Sequence, residues 1–278
     1  MSVLLRNVVV FFLVIVLSVP SQAFAARNKK KIKRSPRPTA VAAVLWDATA
    51  NHRYYAKNLD AKVYPASTTK VMTALLALER LPLDKYVTVS ETAIQVQETK
   101  LNLKPGEQYR VRDLLFAVLL KSANDAANVL AEAAAGSQAQ FVAMMNQKAR
   151  AVGAKHTLFA NAHGLPSDAQ QYTTAHDMAL LFAQAFKNPF FRKAITFKYR
   201  IIYSKEGRRY FLKSHNKSLF LNWKRNVYGK TGYTRQAQSC FVGYFIKRNH
   251  VYVIGVFGCR KRWEDIKFII ERYGGVNL

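Results

Sequence analysis

The sequence predicts a mixed α/β (α+β) fold: an antiparallel sheet assembled from both ends of the chain, flanked by helices, plus a mostly helical lobe. Three observations predict it. Strand-like segments cluster near the two ends, helical periodicity fills the middle, and an amphipathic helical stretch closes the chain at Trp263 to Tyr273.

The first 38 residues stand apart from that pattern. Arg6 precedes an apolar run from Val8 to Val19 that is too short to span a bilayer comfortably, and Ala23-Phe24-Ala25 is a small-x-small cleavage site. Residues 1–25 are therefore expected to be a secretory signal peptide, with an uncleaved anchor as the alternative reading. No cysteine follows the run, so a lipoprotein anchor is not indicated. Residues 26–38 carry Arg27, Lys29, Lys30, Lys31, Lys33, Arg34 and Arg37 beside Pro36 and Pro38, the composition of a solvated linker, with surface attachment as the second reading. With 43 Lys and Arg against 16 Asp and Glu, the net charge is +27, a field that favours polyanionic surroundings such as cell-wall polymers or an anionic membrane surface. Export, to the periplasm or cell wall, argues against nucleic acid as the partner.

Residues 39–278 suffice for one domain with a sizeable core. Thr39 to Asp47 is apolar, turns at Ala48 to His52, and resumes at Arg53, which predicts a hairpin. A helix opens at Ser67 and ends at Leu81-Pro82. Short strands are expected at Val87 to Val89 and within Leu103 to Arg110. Helices are expected over Val111 to Lys121, from Asp125 to Ala135, over Phe141 to Val152, and from a cap at Thr174 to about Phe186. This helical lobe runs over about residues 88–196. Strand character returns at Phe197 to Ser204, Arg209 to Lys213, Lys230 to Tyr233, Phe241 to Lys247 and Val251 to Phe257.

The chemistry points to Pro65-Ala66-Ser67-Thr68-Thr69-Lys70. Val71, Met72, Leu75 and Leu78 form one apolar stripe, so Ser67 sits in the first turn and Lys70 lies three residues on, on nearly the same face. An ordinary lysine is protonated at neutral pH. Burial, the helix N-terminus and a second cation all disfavour its charged form, which would let Lys70 act as general base to a Ser67 nucleophile. Taken alone, the pattern is weak, because Ser214-His215-Asn216-Lys217 matches it too. That second match has no apolar helix behind it and is read as a polar loop.

The case rests on order: Ser67-x-x-Lys70, then Ser122-x-Asn124, then Lys230-Thr231-Gly232. Ser122 is placed to pass a proton toward a leaving group, Asn124 to hold a substrate amide, and Lys230 to supply positive charge beside Lys70. Gly232 lets substrate approach a strand edge. The backbone N–H groups of Ser67 and Tyr233 suit an oxyanion hole. His163 and His176 lack ligand-spaced partners, so no metal and no cofactor is expected. Cys240 and Cys259 fall near opposite ends of a predicted hairpin and fit either a disulfide or two buried thiols.

This ordered triple resembles the serine penicillin-binding proteins and serine β-lactamases, and most closely the low-molecular-mass D-alanyl-D-alanine carboxypeptidases. The strings PASTTKVMTALLALE, KSANDAANVLAE, HTLFANAHGLP with YTTAHDMALL, GKTGYT and GCRKRWEDIKFII carry the likeness, which spans roughly Val41 to Tyr273. It implies a serine β-lactamase/transpeptidase-like fold, peptidoglycan stem peptides as substrate, and β-lactams as covalent inhibitors. It also implies an arginine for the substrate's terminal carboxylate. Arg260, Lys261 and Arg262 compete for that role, Arg262, directly before Trp263-Glu264, matches the pattern best, and Thr231 would share the carboxylate. A β-lactamase deacylating loop is not expected, since Glu98-Thr99-Lys100-Leu101-Asn102 precedes Ser122. The last predicted helix lies close to Leu278, so the C-terminal β domain that many such carboxypeptidases carry is not expected. Cleavage of D-Ala cross-links and a non-catalytic cationic wall-binding role stand as the alternatives to carboxypeptidase activity.

Overall fold

The computed structural model describes residues 38–97 and 99–278. The expected signal peptide, the linker as far as Arg37, and Glu98 lie outside the described residues.

The hairpin expected near the start is β1 (Ala42–Asp47) and β2 (His52–Lys57). Its turn is held by the Asp47 carboxylate, which accepts from Thr49 N at 2.9 Å and Ala50 N at 3.0 Å, while Asn51 takes the left-handed φ of 51°. Near the other end lie β7 (Tyr228–Thr234), β8 (Gln238–Lys247) and β9 (His250–Cys259). Together they form one antiparallel sheet in the order β2-β1-β9-β8-β7, so β1 pairs with β9 across most of the sequence, Ala42 opposite Phe257.

Alternation along β1 divides two cores. Ala42 and Val44 face one hydrophobic cluster, which contains Leu181 and Phe182 of helix α5 (Ala175–Phe186). Ala43 and Leu45 face the other, which contains Ile266, Ile269 and Ile270 of α7 (Arg262–Tyr273). Covered on both faces, β8 and β9 read as nearly continuous apolar runs.

Between the sheet segments lie α1 (Lys70–Arg80), α2 (Val111–Phe116), α3 (Asn124–Ala135), α4 (Gln138–Val152) and α6 (Pro189–Ala194). β3 (Tyr86–Thr88) pairs with β4 (Gln108–Arg110). Three details differ from the expectation. The helix expected over Val111 to Lys121 is α-helical only to Phe116 and widens into a π-helical turn over Ala117–Lys121. β5 (Tyr199–Tyr203) and β6 (Arg209–Lys213) pair only with each other and form a separate ribbon. α6 is short, and its strongest signal is a cap: Asn188 Oδ1 accepts from Phe190 N and Phe191 N. Of the two readings for the cysteines, the structure has buried free thiols at Cys240 and Cys259.

Candidate active site

Ser67 lies in a 3-10 turn, Ala66–Thr69, that feeds directly into α1, so the α-helix proper begins at Lys70 rather than at the serine. In such a turn side chains at i and i+3 eclipse, which aligns Ser67 with Lys70. Ala66 before it adopts a left-handed φ of 46°, and Ser122 closes the π turn with a φ of 64°. Non-glycine residues in this region cost on the order of 1 kcal/mol or more each, and such strain gathers at functional sites.

Lys70 is fully buried. Its Nζ donates to Asn124 Oδ1 at 2.6 Å and to the His163 carbonyl at 2.8 Å, and lies 3.2 Å from Ser67 Oγ. The first two are obligate acceptors and use both N–H bonds of a neutral amine. The lone pair is then free for the Ser67 hydroxyl. Burial first, and the Lys230 charge second, push the Lys70 pKa well below 10.5, against an opposing pull from Asp125.

Lys230 on β7 is also buried and donates to Ser122 Oγ at 2.9 Å and to the Thr231 carbonyl at 2.9 Å. Burial, with the Arg262 cation as the second cause, lowers its pKa to about 7. Two linked pairs result, Ser67 with Lys70 and Ser122 with Lys230. The side-chain amide of Asn124 is occupied at both ends, its Nδ2 donating to the Gln97 carbonyl at 2.9 Å, so within the protein it holds the Lys70 amine.

Gly232 has a second task besides leaving a strand edge open. A Cβ there would lie 3.0 Å from Ser67 N and 3.0 Å from Ala66 Cβ, so the missing side chain lets the nucleophile turn pack against β7. Ser67, Ser122, Thr231, Gly232, Tyr233 and Arg262 all line one cleft of about 710 Å3. Arg262 Nη1 donates to the Gly232 and Cys240 carbonyls at 3.0 and 2.9 Å, and its buried Nε has no partner. Arg260 is exposed and does not line this cleft.

Three features were missed in the sequence. The His163 carbonyl is a Lys70 acceptor; the available signal was the Asn161-x-x-Gly164 turn, in which Asn161 Oδ1 accepts from Gly164 N at 2.6 Å. Asp125 is buried and accepts the backbone N–H groups of Leu101 and Leu103, fastening that segment beside Asn124. The supposed polar loop at Ser214 to Lys217 is part of the cleft wall, with Ser214, His215 and Lys217 all lining it. Among the described residues no group of His, Cys, Asp and Glu is arranged to hold a metal ion.

Comparison with known proteins identifies the family. The family model described as D-alanyl-D-alanine carboxypeptidase matches residues 29–260. The D-alanyl-D-alanine carboxypeptidase DacF of Bacillus subtilis is 31% identical over 251 residues, covering 88% of this chain and 64% of its own. The D-alanyl-D-alanine endopeptidase of Pseudomonas aeruginosa is 32% identical over 206 residues, covering 72% of this chain and 65% of its own. This chain thus spans just under two thirds of the length of these two relatives. The crystal structure of D-alanyl-D-alanine carboxypeptidase from Mycobacterium tuberculosis matches with a TM-score of 0.81 and 29% identity, covering 88% of this chain and 94% of that one.

Proposed function

The chain belongs to the D-alanyl-D-alanine carboxypeptidase family, and from that premise we propose that it removes the terminal D-alanine from peptidoglycan stem peptides through an ester on Ser67. The observation that carries this is the placement of the buried Lys70 amine 3.2 Å from Ser67 Oγ, with two fixed acceptors turning its lone pair to the hydroxyl.

Ser67 Oγ attacks the carbonyl carbon of the D-Ala-D-Ala bond while Lys70 takes its proton. The oxyanion faces the backbone N–H groups of Ser67 and Tyr233. The C–N bond breaks as Lys70, through Ser122, returns a proton to the departing amine. Water then attacks the ester, restoring the Ser67 hydroxyl and releasing the shortened peptide. Lys230 holds Ser122 and keeps positive charge near Lys70. Arg262 and Thr231 bind the terminal carboxylate. A β-lactam presents the same carbonyl and carboxylate, so it acylates Ser67, and the bonded carbon skeleton blocks departure of the leaving group.

Residues 1–25 export the chain to the periplasm or cell wall in this reading, residues 26–38 act as a basic linker that also contacts anionic wall or membrane surfaces, and residues 39–278 do the chemistry. The test is incubation with a stem pentapeptide. Release of one D-alanine per peptide, absent with Ser67→Ala, supports the proposal; a cationic wall-binding protein without catalysis would bind the peptide and return it unchanged.

A further inference from the structure

The detached ribbon β5–β6 turns an apolar face to solvent. Its register sets Tyr199 opposite Lys213, Ile201 opposite Phe211 and Tyr203 opposite Arg209, and residues paired across a ladder share a face. The opposite face carries Ile202 and Leu212, both buried in the main core. With one face so buried, an antiparallel ribbon ordinarily shows polar residues on the other. Here the outward face leaves Tyr199 46%, Ile201 36%, Tyr203 52% and Phe211 56% exposed. Tyr199 and Phe211, diagonal neighbours on that face, stack with ring centroids 5.5 Å apart and planes 21° from parallel, so the patch is continuous.

Cations frame this patch. Arg209 and Lys213 share its face at the two ends of β6, and Lys198, Arg200, Lys205 and Arg208 flank it in the chain, against a single acid, Glu206. Among the described residues only Arg208 of these cations has an ion-pair partner, Glu107 at 3.4 Å. Beside β5 lies a pocket of about 230 Å3 between Phe116, Phe190 and Phe197, rimmed by Arg112, Lys193 and Arg200. Arg112 is paired with Asp84, and the Arg200 guanidinium lies 4.9 Å from the Phe116 centroid, so Lys193 and Arg200 are the rim cations left to meet an outside anion. An apolar face inside a cationic frame narrows the occupant. A second copy of the chain would bring two like-charged frames together, and a hydrophilic polyanion would pair with the frame but leave the aromatic surface in water. A bilayer of anionic lipid satisfies both, since tyrosine rings are favoured at the headgroup level and lysine and arginine meet the phosphates there.

We propose that the β5–β6 ribbon docks the folded domain on a bilayer surface containing anionic phospholipid, with Tyr199, Ile201, Tyr203 and Phe211 seated among the headgroups and Lys193, Arg200, Arg209 and Lys213 meeting their phosphates. This contact is separate from the basic linker, because it belongs to the folded domain and buries apolar side chains as well as neutralising charge. It also orients the enzyme. Lys213 lines the catalytic cleft as well as the ribbon face, and Phe220 of the cleft wall packs edge-on against Tyr199 at 5.6 Å, so docking holds the cleft beside the membrane.

The test has two arms. Tyr203→Cys carries an environment-sensitive fluorophore, which goes to that position because Cys240 and Cys259 are buried. Its emission should shift to the blue with phosphatidylglycerol vesicles, much less with phosphatidylcholine vesicles, and not at all with poly-L-glutamate. In the second arm, vesicle flotation compares the native protein with Tyr203→Ser combined with Phe211→Ser. The double variant should partition onto phosphatidylglycerol vesicles about tenfold more weakly, while penicillin labelling in buffer stays as in the native protein. Unmoved emission on phosphatidylglycerol vesicles overturns the proposal, as does an equal shift on phosphatidylcholine, which removes the anionic requirement. Native-like flotation of the double variant also overturns it, since the linker alone would then explain binding. A dimer in solution that the double variant abolishes puts a second copy on this face and overturns it too. The fluorophore arm changes one exposed side chain, so it decides the matter even if the double variant fails to fold.

Discussion

A buried lysine is expensive to protonate, and this protein places two of them side by side. The folded pKa of Lys230, about 7, lies below its ordinary 10.5, so between those values the unfolded chain binds the proton that the folded chain releases. Stability contributed by this group therefore rises with pH from about 7 toward 10.5, and at pH 7 the burial costs on the order of a few kcal/mol. Lys230→Met removes that cost, and the variant is expected to melt no lower than the native protein at pH 7 while its acylation rate collapses. Calorimetry beside penicillin labelling checks both halves. The same pKa shapes the rate. Lys230 loses its charge as pH rises through about 7, so kcat/KM for acylation, which reports the free enzyme, should bend downward there. Arg262 is a cause of the lowered value. Arg262→Leu should move that bend to higher pH whatever it does to the absolute rate, and a pH profile with an unmoved bend would contradict the assignment.

At the scale of elements, the site depends on two places where regular structure gives way. The π turn Ala117–Lys121 ends at a left-handed Ser122, which aims its hydroxyl at Lys230. Gly164 presses against the nucleophile turn, where a Cβ would lie 1.9 Å from the Ala66 carbonyl oxygen. Gly164→Ala should therefore displace the His163 carbonyl from Lys70 and cut labelling at least about a hundredfold, or prevent folding, with circular dichroism separating the two. Thr174 is a simpler case. It caps α5 by accepting from Asp177 N at 3.0 Å, so Thr174→Ala should cost about 1 kcal/mol in urea denaturation and leave labelling intact at low denaturant. The sequence carried part of this. Ser67 and Lys70 were legible because three-residue spacing aligns side chains in a 3-10 turn as well as in an α-helix, and for the same reason it did not distinguish the two. The π turn was not legible, because its widening leaves no local pattern. The His163 carbonyl was hidden because a backbone acceptor has no residue identity. Ser214 to Lys217 looked like loop because its polar groups bond to Val227, to Ser218 and to one another, contacts that only the folded chain reveals.

At the scale of the molecule, the three motifs come from segments that meet only when the whole sheet is closed. Ser67 follows the β1–β2 hairpin, Ser122 and Asn124 come from the helical middle, and Lys230 rides on β7, while the sheet itself joins β1 to β9. Thr39 ties the start of this unit to α7 through two bonds of 2.7 Å to Asp265. Strand clustering at both ends made that closure legible; the detachment of β5–β6 was not, since pairing partners are not written in a strand's own residues. Labelling by penicillin and global folding are accordingly expected to be lost at one denaturant midpoint. The most direct test of the central claim is intact mass spectrometry after incubation with benzylpenicillin, followed by peptide mapping. The account predicts a single adduct of one penicillin per chain, on Ser67, absent in Ser67→Ala and strongly slowed in Lys70→Met. No adduct, an adduct on another residue, or undiminished labelling in Lys70→Met would contradict it.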